Sequence, residues 1–157
     1  GLVVYAAARD PRIKATVSQV PALDGRGMTK SAEGRRALYG QATGRARGTI
    51  SYPEPGIRAV GNLKGAPILE KMALYAPVED VVRASNCAMM FILAENEELF
   101  DNDEHGVLAH KRAKGPKKIV TIEEITHYGI YGVARDRAEK LAVEWFNDHL
   151  GQALTQP

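Results

Sequence analysis

The sequence predicts an α/β architecture: a parallel sheet flanked by helices and interrupted by an irregular insertion. Three observations carry this. Short apolar runs of strand length alternate with helical stretches, in the order helix, strand, insertion, helix, strand, helix, strand, helix. That alternation implies parallel strands joined by right-handed crossovers. The stretch 24–67 differs in texture, holding nine of the fifteen glycines together with arginines and prolines. With 45% hydrophobic and 25% charged residues, the composition is that of ordinary globular proteins.

The elements follow in order. Residues 2–9 are apolar and alanine-rich, which favours helix. Asp10-Pro11 ends it, because proline disfavours a helical residue before it. Ile13, Ala15 and Val17, with the run to Val20, read as a buried strand stopped at Pro21. Within 24–67, Lys30 to Tyr39 suits one helix and the remainder reads as loop or small insertion, of the kind that is functional or mobile. Residues 68–84 suggest helical pieces broken at Pro77, and Cys87 to Ala94 is the strongest strand.

Asp101, Asn102, Asp103 and Glu104 mark a helix start, and Lys111, Arg112 and Lys114 its end before Gly115-Pro116. Both clusters suit the helix macrodipole, which accounts for the basic run. Lys118 to Ile122 is a third strand. After a loop through His127, the last helix runs from about Ala134 to Leu150. Ala138, Leu141, Ala142, Trp145 and Leu150 form its apolar stripe, and Gly151 suits its C-cap. Three strands bury little on their own, so further strands from upstream are expected to complete the core.

Several function classes recede on composition. The longest apolar run has the length of a strand, well short of the roughly 18 residues that span a bilayer, so no membrane partner is expected. A single cysteine, Cys87, allows no internal disulfide and no cysteine metal framework; it reads as a small buried hydrophobe and favours the cytoplasm. Residues 1–75 carry 12 Lys/Arg against 5 Asp/Glu, and residues 76–157 carry 9 against 14. The basic excess is scattered among glycines with few aromatics, unlike a nucleic-acid interface. The chain opens inside a helix with neither cap, methionine nor basic leader segment, and is expected to continue upstream.

In open parallel sheets the chemistry sits in loops beyond the carboxyl ends of the strands. Two such loops stand out: Glu95-Asn96-Glu97-Glu98-Leu99-Phe100-Asp101-Asn102, and Glu123-Glu124-Ile125-Thr126-His127-Tyr128-Gly129. A histidine acting as general base needs a carboxylate to hold its tautomer. Thirty residues separate positions 97 and 127, enough for loop, helix, strand and loop, so Glu97 and His127 can meet at one sheet edge. Acidic loops before helices and surface histidines are common, so this spacing alone leaves a structural role open. His105, His110 and His149 read as surface residues. Tyr128 and Tyr131 suit either a pocket wall or packing, and Met89 and Met90 read as core.

These segments resemble the α/β-hydrolases. Ala94-x-x-Glu97 after a strand resembles the small-x-x-Asp turn that bears the triad acid. Ile125-Thr126-His127-Tyr128-Gly129-Ile130-Tyr131 resembles the histidine loop before the last helix. Gly1 to Val20, with Ala8-Arg9-Asp10-Pro11-Arg12-Ile13-Lys14-Ala15, resembles the helix after the nucleophile elbow and the strand that follows. The resemblance covers essentially the whole chain and places 24–67 where that family inserts its lid.

It implies one partial domain, the C-terminal portion of the α/β-hydrolase fold, with Glu97 as triad acid and His127 as triad histidine. Glutamate stands where aspartate is commoner, and Glu98 and Asp101 compete for the role. The triad order in this fold is serine, acid, histidine, yet Gly-x-Ser-x-Gly is absent. Ser18, Ser31, Ser51 and Ser85 lack the elbow context, so the resemblance puts the nucleophile just before Gly1. The implied protein is an esterase-like or dienelactone-hydrolase-like serine hydrolase of carboxylic esters, needing no cofactor and no metal. This chain alone would be inactive, its partners being a small-molecule ester and the N-terminal half of the same protein, with homo-oligomerisation left open. A peptidase-like hydrolase and a non-catalytic binding or interaction module are the alternatives. A flavodoxin-like nucleotide binder ranks last, for want of a glycine-rich phosphate loop between a strand and a helix.

Overall fold

The computed structural model describes residues 1–54 and 68–151. The part of the 24–67 stretch from residue 55 onward, with Pro55 and Pro67, lies outside the described residues, as does everything after Gly151. The chain divides into two compact units, one formed by residues 1–24 and 77–157 and the other by residues 25–76.

The first unit is built on a three-stranded parallel sheet in the order β1-β2-β3, with β1 Ala15–Gln19, β2 Ala88–Ala94 and β3 Lys117–Ile122. Every residue of central β2 is buried, as its unbroken apolar run requires for a strand covered on both faces. Because side chains alternate, β2 splits between two cores. Met89, Phe91 and Leu93 join Val4 and Ala7 of α1 (Leu2–Ala7) with Val78, Val81 and Ala109. On the other face Met90, Ile92 and Ala94 join Ile122, Ile130, Ala138 and Trp145. The layers are therefore helix, sheet, helix.

β1 inverts the depth expected from its sequence. Thr16 and Ser18 are its buried residues, while Ala15 and Val17 are half-buried against the second core. Both faces of β1 are covered, so apolar alternation could not tell which was deeper. Val20, just past β1, has φ +36, a conformation that costs a β-branched residue on the order of 1–3 kcal/mol. Its N–H is held by the Ile92 carbonyl at 2.8 Å.

The helices after β1 differ from expectation in extent. Pro77 opens α4 (Pro77–Asp80), in keeping with proline's fit to the first helical position. Between β2 and β3, the helix expected to start at the acidic cluster opens with a wide π turn, Asp103–Val107, and then becomes α5 (Leu108–Arg112). Lys117, from β3, donates its ammonium to the Lys111 and Ala113 carbonyls at the end of that helix. A cation thus satisfies the orphan C-terminal carbonyls, but it comes from the next strand. The last helix, α6 (Arg135–Leu150), packs on β1 and β2 through Ala138 and Trp145. Leu150, expected in its stripe, is exposed, and Gly151 caps the helix in a right-handed conformation, φ −64.

In the second unit, α2 (Ala32–Ala46) runs beyond Tyr39 by two turns, through Gly40 and Gly44. Ser31 caps it, its hydroxyl accepting the Gly34 N–H at 2.9 Å. A Cβ at Gly44 would stand 2.6 Å from the terminal methyl of Ile50, whose side chain would have to turn aside. Arg45, almost fully buried, holds Glu70 at 2.7 Å, which ties α2 to α3 (Leu69–Met72). Burial would raise the Glu70 carboxyl, but a hydrogen bond from its own backbone N–H and then the Arg45 guanidinium outweigh it and lower its pKa. Among the described residues, no helix is long and apolar enough to cross a membrane.

Candidate active site

The register of the sheet brings the two chemistry-bearing loops together. Ala94 pairs with Ile122, so β2 and β3 end level with each other. The ladder then continues one step into the loops, with the Glu95 N–H on the Ile122 carbonyl and the Asn96 N–H on the Ile125 carbonyl, both at 3.0 Å. Glu97 lies three residues beyond one strand end and His127 five beyond the other.

Their side chains touch. Nδ1 of His127 is 2.9 Å from Oε2 and 3.0 Å from Oε1 of Glu97. The Glu97 side chain is 2% exposed and that of His127 14%. Oε1 also accepts the Leu99 N–H at 3.1 Å, so its own loop helps hold the carboxylate. A carboxylate on Nδ1 keeps the proton on that nitrogen and leaves Nε2 as the acceptor. The imidazole is bracketed edgewise by the Phe100 ring at 5.6 Å and the Tyr128 ring at 5.0 Å.

The competing acids point elsewhere. Glu98 accepts the backbone N–H of His127 at 2.8 Å and leaves the ring to Glu97. Asp101 accepts the N–H of Asp103, as a turn-forming aspartate does. Asn102, read from sequence as part of a helix-start cluster, donates its amide to the Ala94 carbonyl at the end of β2. Its Oδ1 is buried without a partner among the described residues. Glu95 accepts the N–H of Glu124, whose φ of +61 is unusual for a glutamate.

His105 was expected at the surface and is buried instead, 7% exposed. Its Nδ1 accepts the Leu23 N–H at 2.8 Å, and its ring lies 4.7 Å from Phe100, the same ring that abuts His127. No local signal marks it, because its partner is 82 residues away. His110 is half-buried, where burial and then Lys117 push its pKa down. His149 is half-buried against Trp145 at 4.0 Å. Tyr128 and Tyr131 are both exposed, and Tyr131 lines an open cleft with Leu2, Val17 and Gln19. Met89 and Met90 are in the core, as is Cys87, whose thiol burial pushes upward.

No protein-family model matches the chain, and no curated protein matches its sequence. Solved structures do match. The α/β hydrolase GrgF from Penicillium sp. sh18 superposes with a TM-score of 0.70 at 16% identity, over 94% of this chain and 60% of that one. DcsB, solved with its substrate analogue, gives 0.72 at 16% identity over the same shares. The esterase domain of a Rhodothermus marinus protein gives 0.57 at 12% identity, over 94% of this chain and 56% of that one. This chain spans about 60% of the length of the first two structures. The parallel β1-β2-β3 sheet, its covering helices and the likeness to these structures give the chain the α/β-hydrolase fold over that portion.

Proposed function

We propose that this chain is the acid- and histidine-bearing part of a serine hydrolase acting on carboxylic esters. The observation that carries the reading is the contact between Nδ1 of His127 and the buried Glu97 carboxylate, at the level ends of two parallel strands. Supporting it, the structures of similar fold include proteins described as an esterase domain and as lipolytic enzymes. In this reading the nucleophile is a serine N-terminal to Gly1, on the same polypeptide or a separate one. In it the stretch 24–67 is the lid-like insertion of that fold.

The reaction is a two-step acyl transfer. The serine hydroxyl attacks the ester carbonyl while Nε2 of His127 takes its proton. The same proton goes to the leaving alkoxide as the tetrahedral intermediate collapses to an acyl-enzyme. Water then repeats the sequence with His127 again as base, releasing the acid and the free serine. Glu97 holds the Nδ1 tautomer and stabilises the imidazolium without taking the proton.

Turnover of an activated ester by the complete protein tests this. His127→Ala should lower kcat by several orders of magnitude, and Glu97→Ala by a smaller but large factor. Unchanged function in His127→Ala would instead favour a non-catalytic binding module on the same sheet. The 157-residue chain alone should show no turnover. Activity there that His127→Ala abolishes would overturn the assignment of the nucleophile to an upstream segment.

A further inference from the structure

The loop that supplies Glu97 makes two more side-chain bonds to the histidine loop, and the acyl-transfer steps use neither. Glu95 Oε2 accepts the Glu124 N–H, and Glu98 Oε2 accepts the His127 N–H, both at 2.8 Å. Each reaches 29 residues along the chain. Backbone pairing between the loops ends at Asn96 and Ile125. Past that point the histidine loop is held to its neighbour by glutamates.

We propose that Glu98 is the positioning residue of His127: it fixes the backbone of the histidine while Glu97, one residue earlier, fixes the ring. The inference rests on reading Glu97 and His127 as the acid and base of the triad. Its physical content is a two-point hold. A carboxylate on Nδ1 restrains one end of the imidazole but lets the ring follow any drift of its own loop. That loop includes Glu124 in a left-handed conformation and, past the Ile125 carbonyl, has no backbone bond to the glutamate loop among the described residues. The His127 amide opens a short helical turn, His127–Tyr131, and so lacks an acceptor within it. The Glu98 side-chain oxygen supplies that acceptor at 2.8 Å. With the His127 amide and Nδ1 held by the adjacent residues Glu98 and Glu97, Nε2 is left a single place to point. Glu98 itself is exposed and packs no core, so its removal leaves the two hydrophobic cores intact.

The test is kinetic, on the complete protein with an activated ester. Glu98→Ala should lower kcat roughly ten- to a hundredfold, the scale expected for about 1 Å of misplacement, with KM changed by less than about twofold. Glu98→Gln, whose amide oxygen still accepts the N–H, should recover kcat to within about threefold of the parent. Glu98→Asp, too short to reach, should behave like the alanine variant and serves in its place should that one not fold. Amide exchange at His127, followed by NMR, should quicken in the alanine and aspartate variants and not in the glutamine one. Full kcat and slow exchange in Glu98→Ala, while His127→Ala abolishes turnover, would overturn the positioning role and leave the dyad standing. Unaltered turnover in His127→Ala would remove the dyad itself, whatever Glu98 does.

Discussion

At the scale of single residues, chemistry here is decided by what surrounds a side chain. Cys87 is 2% exposed, with Sγ 3.9 Å from the Thr16 hydroxyl, and burial raises its pKa above the ordinary 9.0. We therefore expect it to resist alkylation in the folded protein and to react at the free-thiol rate in denaturant, as a thiol titration would read. The sign of the linked pH effect follows. Above about pH 9 the unfolded thiol loses its proton first, so the unfolded state binds fewer protons and stability falls as pH rises, by at most about 1.4 kcal/mol per unit. Cys87→Ala should abolish that dependence in urea melts taken at pH 8 and 10. Gly115 is constrained in another way: a Cβ would stand 2.7 Å from the Cys87 carbonyl oxygen and 2.8 Å from that of Ser85. Both atoms are backbone and cannot rotate away. Gly115→Ala should cost about 1–3 kcal/mol in urea unfolding.

At the scale of elements, β2 is the member on which the others depend. It pairs with both other strands and contributes side chains to both cores. Phe91, fully buried at its centre, faces the core shared with α1 and α5. Phe91→Ala should destabilise by about 3–5 kcal/mol. β3 carries a different load. Lys118 and Thr121 are exposed, so substitutions there should be mild, while Ile122 closes the second core beneath the histidine loop. Phe100 links the two loop regions by contacting both His105 and His127, so the sheet rim is braced by rings as well as by hydrogen bonds.

At the scale of the molecule, the two compact units invite a deletion. The chain leaves the sheet unit after Asp24 and returns at Pro77, and the two crossing segments are bonded to each other by the Val78 N–H on the Leu23 carbonyl at 3.0 Å. The ends of an excision would therefore lie close together, which is the condition under which insertions can be removed. Replacing residues 25–76 by a short Gly/Ser turn should leave the sheet unit cooperatively folded, seen as retained far-UV circular dichroism and a single thermal transition. Loss of that transition would show that the second unit is needed for folding.

The sequence by itself determined the three strands, their parallel order and the loops on which Glu97 and His127 sit. Each depends on a local quantity: an apolar run of strand length, the alternation of strand with helix, and the number of residues needed to return to the same sheet edge. The tertiary structure decided what local pattern cannot hold. It chose Glu97 over Glu98 and Asp101 for the His127 ring, because three carboxylates four or fewer residues apart differ only in where the turn aims them. It buried His105 through a bond to Leu23 and turned Thr16 and Ser18 inward on β1. The physical reason is common to all three. Hydrophobic periodicity reports which face of an element avoids water, whereas the partner that a polar atom finds is set by distant chain segments folded beside it.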